Sequence, residues 1–265
     1  YTPTSGSATS VVNVSTLQTA INAGTSVTVT TTNTGTSGSG AGNITIANAL
    51  SFNNTGAQAA TLSLIADNGI IQNAAITGTG TQLVHISMTA NGNFQGNTAA
   101  STSSRGIAIN AGITTNGNIT LTGTNQSGAA HGTGAGVHIN GATVDAGANG
   151  NVTIIGTATN GSGVLIDDRT IIKGRDITLT GTGNASTSGT GVRFNFNTGS
   201  PSLQLEAVRN LNITGTMNAS GTATGSGVQV VSNCCSGTGA GILMTATSGE
   251  AKITGIQTGN ANNTR

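Results

Sequence analysis

Gly163-Val164-Leu165-Ile166 opens, and Ile177-Thr178-Leu179-Thr180-Gly181-Thr182 closes, a unit that the chain writes five times within residues 106–255. The other openers are Gly106-Ile107-Ala108-Ile109, Gly136-Val137-His138-Ile139, Gly191-Val192-Arg193-Phe194 and Gly227-Val228-Gln229-Val230. The closers occupy residues 119–124, 152–157, 177–182, 213–216 and 253–255. Self-similarity of this kind marks a solenoid, in which each unit buries its apolar face only against its neighbours. Ile and Leu alternate with Thr in the closers. Successive side chains of a strand point to opposite faces and β-branched residues suit a pleated surface, so the units are built of strands.

The same grammar extends before residue 106 in looser form. Strands are expected at residues 27–31, 43–46, 49–52, 61–66, 70–72, 75–77 and 83–89, and one short helix over 14–23, with Ser15 as N-cap and Gly24 as stop. Counted from the opening apolar residue, the turns begin at Ile44, Ile70, Ile107, Val137, Val164, Val192 and Val228, with spacings of 26, 37, 30, 27, 28 and 36 residues. Such irregularity excludes a fixed-length repeat and predicts an all-β solenoid: a parallel β-helix of about seven coils, three strands per coil, with insertions at its corners. At about 4.8 Å per coil the stack is roughly 30 to 35 Å long. The chain reads as a single segment, with an entry and helix over 1–42, looser coils over 43–105, regular coils over 106–257 and a tail over 258–265. The Gly, Ser, Thr and Asn loops after each third strand read as solvated spacers, and corner Asn or Thr side chains are expected to stack along the axis.

Composition agrees with that architecture and removes several functions. Charged residues are 6% of the chain and aromatics 2%, too few for an ordinary globule, whereas the ordering of the apolar residues argues against disorder. Only two Pro stand in the way of backbone ladders. A net charge of +1 gives no electrostatic basis for binding nucleic acid or an anionic membrane. No apolar run is long enough to span a membrane, and no signal peptide opens the sequence, which marks Tyr1 as a cut end.

The run Ser15-Thr16-Leu17-Gln18-Thr19-Ala20-Ile21-Asn22-Ala23-Gly24-Thr25-Ser26-Val27-Thr28-Val29, the phrase Gly42-Asn43-Ile44-Thr45-Ile46, and residues 60–71 followed by Ala74-Ala75-Ile76 carry a resemblance. The chain resembles the filamentous haemagglutinin family of two-partner-secreted exoproteins, in its high-molecular-weight adhesin branch, over nearly its whole length. The resemblance implies a right-handed parallel β-helix, export through a partner pore in a Gram-negative outer membrane, and display as a fibre that serves as an adhesin, a haem-carrier binder or a toxin-bearing stick. The family's secretion signature is not recognisable here, so an interior segment is expected. The function that follows is a secreted or surface-displayed, non-enzymatic adhesin segment that binds host-surface glycan or protein. Its rivals are a haem-carrier-binding exoprotein, an inert spacer and a polysaccharide-cleaving β-helix enzyme. The absence of Trp and the single Tyr remove common sugar-stacking platforms.

Candidate chemistry gathers at the corners after the first strand of the later coils. Asp167, Asp168 and Arg169 begin a cluster that includes Lys173, Arg175 and Asp176 and holds six of the fifteen charged residues. It reads as a binding edge, as an acidic pair of the kind that cleaves glycosidic bonds, or as ion pairs along the stack with Glu206 and Arg209. Phe194, Asn195 and Phe196 mark the next corner, and at least part of that segment is expected to be exposed. Cys234 and Cys235 mark the third corner, as a vicinal disulfide, an interchain pair or free thiols. These three corners are expected to stack as one ligand-binding edge. His85, His131 and His138 show no metal-ligand spacing with the cysteines, and His138 reads as an outward residue of its strand; no metal or cofactor is expected. Eleven Asn-x-Ser/Thr triplets occur, among them Asn43, Asn118, Asn151 and Asn212, but Asn-Ile-Thr is also what a strand entry looks like.

Overall fold

The computed structural model describes residues 10–32, 42–92, 104–126, 134–167, 169–185, 188–196, 202–219, 224–232 and 241–258. Asp168, Cys234 and Cys235 lie outside the described residues. Helix α1 (Val14–Asn22) and β1 (Val27–Thr30) come first. Short strands then follow in trios: β2 (Ile44–Ile46), β3 (Leu50–Asn54), β4 (Ala60–Ala66); β5 (Ile70–Gln72), β6 (Ile76–Gly80), β7 (Val84–Ala90); β8 (Arg105–Ile109), β9 (Ile113–Thr114), β10 (Ile119–Asn125); β11 (Ala135–Ile139), β12 (Thr143–Asp145), β13 (Val152–Ala158). Beyond these come the openers β14 (Gly161–Asp167), β16 (Ser188–Phe196) and β18 (Thr224–Ser232); the second and third strands merge into β15 (Ile171–Ala185) and β17 (Ser202–Ala219), and are separate again as β19 (Gly241–Ala246) and β20 (Ala251–Thr258).

All pairings are parallel, as the alternation predicts for an all-β solenoid. The openers form one seven-stranded sheet in the order β18-β16-β14-β11-β8-β5-β2, and the remaining thirteen strands form the other. Register turns the repeat into columns: Ile119, Val152, Ile177 and Leu211 align, as do Leu121, Ile154, Leu179 and Ile213, all at most 1% exposed. Burying each such side chain stabilises the fold by about 1.5–3 kcal/mol. The intervening Thr residues face outward and are half-buried.

Glycine in both halves of the repeat has one cause. A Cβ built on Gly123, Gly156, Gly181 or Gly215, near the end of each closer, would lie 2.1, 1.9, 2.0 or 1.8 Å from the carbonyl oxygen of Gly136, Gly163, Gly191 or Gly227 in the opener of the other sheet. The two sheets converge backbone to backbone along this line, where no side chain fits.

The first end of the stack is covered by α1, which buries Leu17 and Ile21 and packs on β3. Gln18 Nε2 donates to the Ser51 carbonyl at 2.9 Å, and the Asn53 N–H donates to Asn22 Oδ1 at 2.7 Å. The N-cap is Asn13 rather than Ser15: Asn13 keeps extended backbone and its Oδ1 accepts from the Ser15 N–H at 2.8 Å. At the other end the last described coil is exposed. Val230, Leu243 and Ile253 are 59%, 50% and 54% exposed, although Ile253 continues a column that is closed everywhere before it.

Phe194 and Phe196 are core residues, 0% and 3% exposed, which corrects the expectation of an exposed segment there. They stand two and four residues after Val192, so strand parity turns all three the same way, and the packed interior holds them together. Asn195 between them faces the other side and is also buried, at 9% exposure.

Candidate functional site

Parallel register stacks equivalent corners directly. Asn73, Asn110, Asn140, Asp167 and Asn195 follow one another just after the opener strands, as the pairing of β5, β8, β11, β14 and β16 requires. Asparagine suits such a column because its amide both donates and accepts. Asn110 Nδ2 donates to Asn73 Oδ1 at 2.8 Å, and Asn140 Nδ2 donates to Asn110 Oδ1 at 3.3 Å. Stacked corner amides were the sequence expectation. The column changes character at Asp167, whose ionised carboxylate can only accept. Asn195 Nδ2 supplies one donor, to Asp167 Oδ1 at 3.1 Å, and His138 supplies the other across the strand boundary, with its Nε2 2.7 Å from Asp167 Oδ2.

His138 faces away from the main interior, as read from the sequence, since Val137 and Ile139 on either side belong to that interior. Yet it is only 1% exposed. Burial holds the His138 ring below its ordinary value, the Arg105 guanidinium adds to this, and Asp167 opposes it. The ring is therefore neutral at neutral pH. Its Nε2 carries the proton donated to Asp167, and its Nδ1 has no hydrogen-bond partner among the described residues. For Asp167 burial acts upward, but the His138 hydrogen bond, the Asn195 amide and the Arg105 charge outweigh it and hold the carboxyl below the usual carboxylate range. Two residues on, Arg169 is exposed and takes φ 63°, the sole non-glycine residue at positive φ among those described.

A second column runs before the closers: His85, Asn118, Asn151, Asp176, Asn210 and Glu250. The Asn118 N–H donates to His85 Nδ1 and the Asn151 N–H to Asn118 Oδ1, both at 2.9 Å. Here too the aspartate draws in donors. Arg209 grips Asp176 with Nε at 2.9 Å and Nη2 at 2.6 Å, and Asn210 Nδ2 donates to it at 2.9 Å. The Arg209 fork is the main reason that the Asp176 carboxyl is lowered to about 2. Lys173 pairs with Glu206 at 3.1 Å. The ion-pair reading of the charge cluster is thus realised between adjacent coils.

Of the expected edge, the register brings Asp167 beside Asn195 and Asn195 beside Val231. Phe194 and Phe196 turn inward, and Arg169 is the exposed charge among the described residues of that corner. His138 and Arg105 joined the site without having been expected there, and both are visible from register: Val137 pairs with Val164, so Asp167 lies diagonally next to His138. Among the described residues no group of three or more His, Cys, Asp and Glu side chains is placed to hold a metal ion. Comparison of the chain with family models, curated proteins and solved structures finds no match in any of the three.

Proposed function

We propose that the chain is a non-enzymatic adhesive segment of a filamentous haemagglutinin-like exoprotein, built as a right-handed β-helix of about seven coils and exported through a two-partner secretion pore to the bacterial surface. The observation that carries this reading is the stack itself. Its inward columns run in parallel register from coil to coil, Ile119, Val152, Ile177 and Leu211 in one and Leu121, Ile154, Leu179 and Ile213 in the next, which is the one-dimensional build of a fibre. A fibre segment is the protein such a stack suits.

The carboxylates favour binding or spacing over catalysis. A hydrolytic pair needs one carboxyl raised towards neutrality, and here Asp167 and Asp176 are both held low by their ladder partners. Host-surface glycan or protein is the proposed partner, and the contact is proposed at the corner of Asp168 and Arg169. A spacer role is the second reading, favoured by the burial of both Phe. Binding to host cells and to a glycan array, compared between the native chain and the Asp168→Ala/Arg169→Ala variant, separates the two. The adhesin reading expects binding that the variant loses with its far-UV spectrum unchanged. No binding by the native chain leaves the spacer; haemopexin capture points to the haem-carrier reading, and release of unsaturated uronate to an enzyme.

A further inference from the structure

His138, Asp167 and Asn195 link three neighbouring strands, β11, β14 and β16, by side-chain hydrogen bonds at one corner. The buried ring fits this site as a neutral imidazole. In that state Nε2–H meets the Asp167 carboxylate at 2.7 Å, and Nδ1 keeps a bare lone pair in a buried setting. A proton added at Nδ1 becomes a donor with no acceptor among the described residues, and a buried donor without a partner is strongly disfavoured. The new charge is also repelled by the Arg105 guanidinium, whose Nε is itself buried without a partner among the described residues. From this we infer that His138 is an acid-sensitive latch: the protonated ring is accommodated only where its Nδ1 reaches water, so mild acidification favours an opened form of this corner while the rest of the stack holds.

The groups that face His138 can be taken element by element. β8 contributes Arg105, β14 contributes Asp167, and β16 contributes Arg193 in the same outward row. β10 and β13, packed beside β11, carry no titratable side chain. Asp167 is the one anion among these, and two arginines stand against it. Asp167 also anchors a corner under backbone strain, because two residues later Arg169 holds the left-handed φ that L side chains rarely adopt. Loss of the anchor therefore frees a segment with a conformation to relax into. The sign follows from burial: a ring whose folded value lies below its unfolded one contributes stability present above about pH 6.5 and lost as pH falls through the folded value. This inference stands whether or not the segment is an adhesin.

Amide hydrogen exchange on the full chain at about pH 7.5 and about pH 5, corrected for intrinsic rates, tests it. Expected is a selective loss of protection at the Asp167 ends of β11, β14 and β16. Its size is about ten-fold for each unit by which the folded ring lies below the unfolded one. His138→Gln keeps an amide donor for Asp167 but does not titrate, so its exchange at the corner should be the same at both pH values. His85→Gln, which alters the other described histidine, should retain the acid response. Equal protection of the native corner at both pH values overturns the latch, as does an acid response that survives in His138→Gln or that spreads evenly over all strands. If His138→Gln does not fold, NMR titration of the native ring decides: a value at or above about 6.5 overturns the proposal and a lower one supports it.

Discussion

Gly181→Ala tests the claim that the two sheets meet backbone to backbone. The added Cβ would sit 2.0 Å from the Gly191 carbonyl oxygen and 2.5 Å from its carbon, so β16 must retreat from β15 by about 1.4 Å to reach the 3.4 Å of ordinary contact. That retreat is opposed by the ladder bonds of β16 to β14 and β18 on either side. The phobic columns on both sheets would also part. Overpacking of this kind costs about 1–3 kcal/mol and more where nothing can give. Gly→Ala also reduces the entropy of the unfolded chain, which returns about 0.4–1 kcal/mol. The net expectation is a loss of about 2 kcal/mol.

Gly255 provides the control within the same column. It aligns with Gly215, which aligns with Gly181, yet a Cβ there has its nearest neighbour at 3.4 Å. Gly255→Ala should therefore be neutral or stabilising by up to about 1 kcal/mol. Urea unfolding followed by far-UV circular dichroism measures both variants, with unchanged m-values confirming that the same surface unfolds. If the two substitutions shift stability equally, the close approach does not explain the glycines.

Phe194→Ala should cost about 3–5 kcal/mol by leaving a cavity, seen as a large fall in melting temperature; a small shift would return Phe194 to the surface. Arg169→Gly should stabilise the chain by about 1 kcal/mol, because glycine adopts the left-handed φ without steric penalty, and a loss in urea midpoint would refute the strain. Asp176, lowered to about 2, contributes stability present above its ordinary value of 3.8 and lost as pH falls from there towards 2. Carboxylate NMR should show that titration moving up towards the ordinary range in Arg209→Ala, and an unmoved Asp176 would remove Arg209 as the cause.

The all-β parallel class was legible because strand parity is a property of neighbouring residues. Ile119, Leu121, Ile177 and Leu179 announce their face by the Thr between them, and the register later aligns them across coils. Phe194 and Phe196 carried the same signal. Reading their corner as part of an exposed binding edge obscured a parity that Val192 had already set. The helix cap was missed because Asn13 and Ser15 are both good caps, and the choice turned on whether residue 14 was already helical. His138 and Asp167 are 29 residues apart, and their contact exists only once the pairing of Val137 with Val164 is known. The burial of His138 left no mark in sequence at all, since alternation gives the face a residue takes and not what covers it.

Scarcity of charge and the position of the charges have a common origin. In a parallel stack an equivalent residue recurs about every 4.8 Å, so a column of like charges would repel along its whole length, whereas asparagine amides satisfy one another indefinitely. An aspartate can enter such a column only where the adjoining strands change to supply donors. Both columns admit theirs in the same coil, Asp167 at the end of β14 and Asp176 within β15, and the compensation follows at once: His138 and Asn195 around one, Arg209 and Asn210 around the other. A charge that demands changes in the neighbouring coils is harder to place than the Asn it replaces. Two such substitutions within ten residues, next to an arginine in left-handed backbone, set this corner apart from the others. Each column's own ladder consumes its aspartate, Asp167 in the one and Asp176 in the other. What remains to face a partner among the described residues there is Arg169.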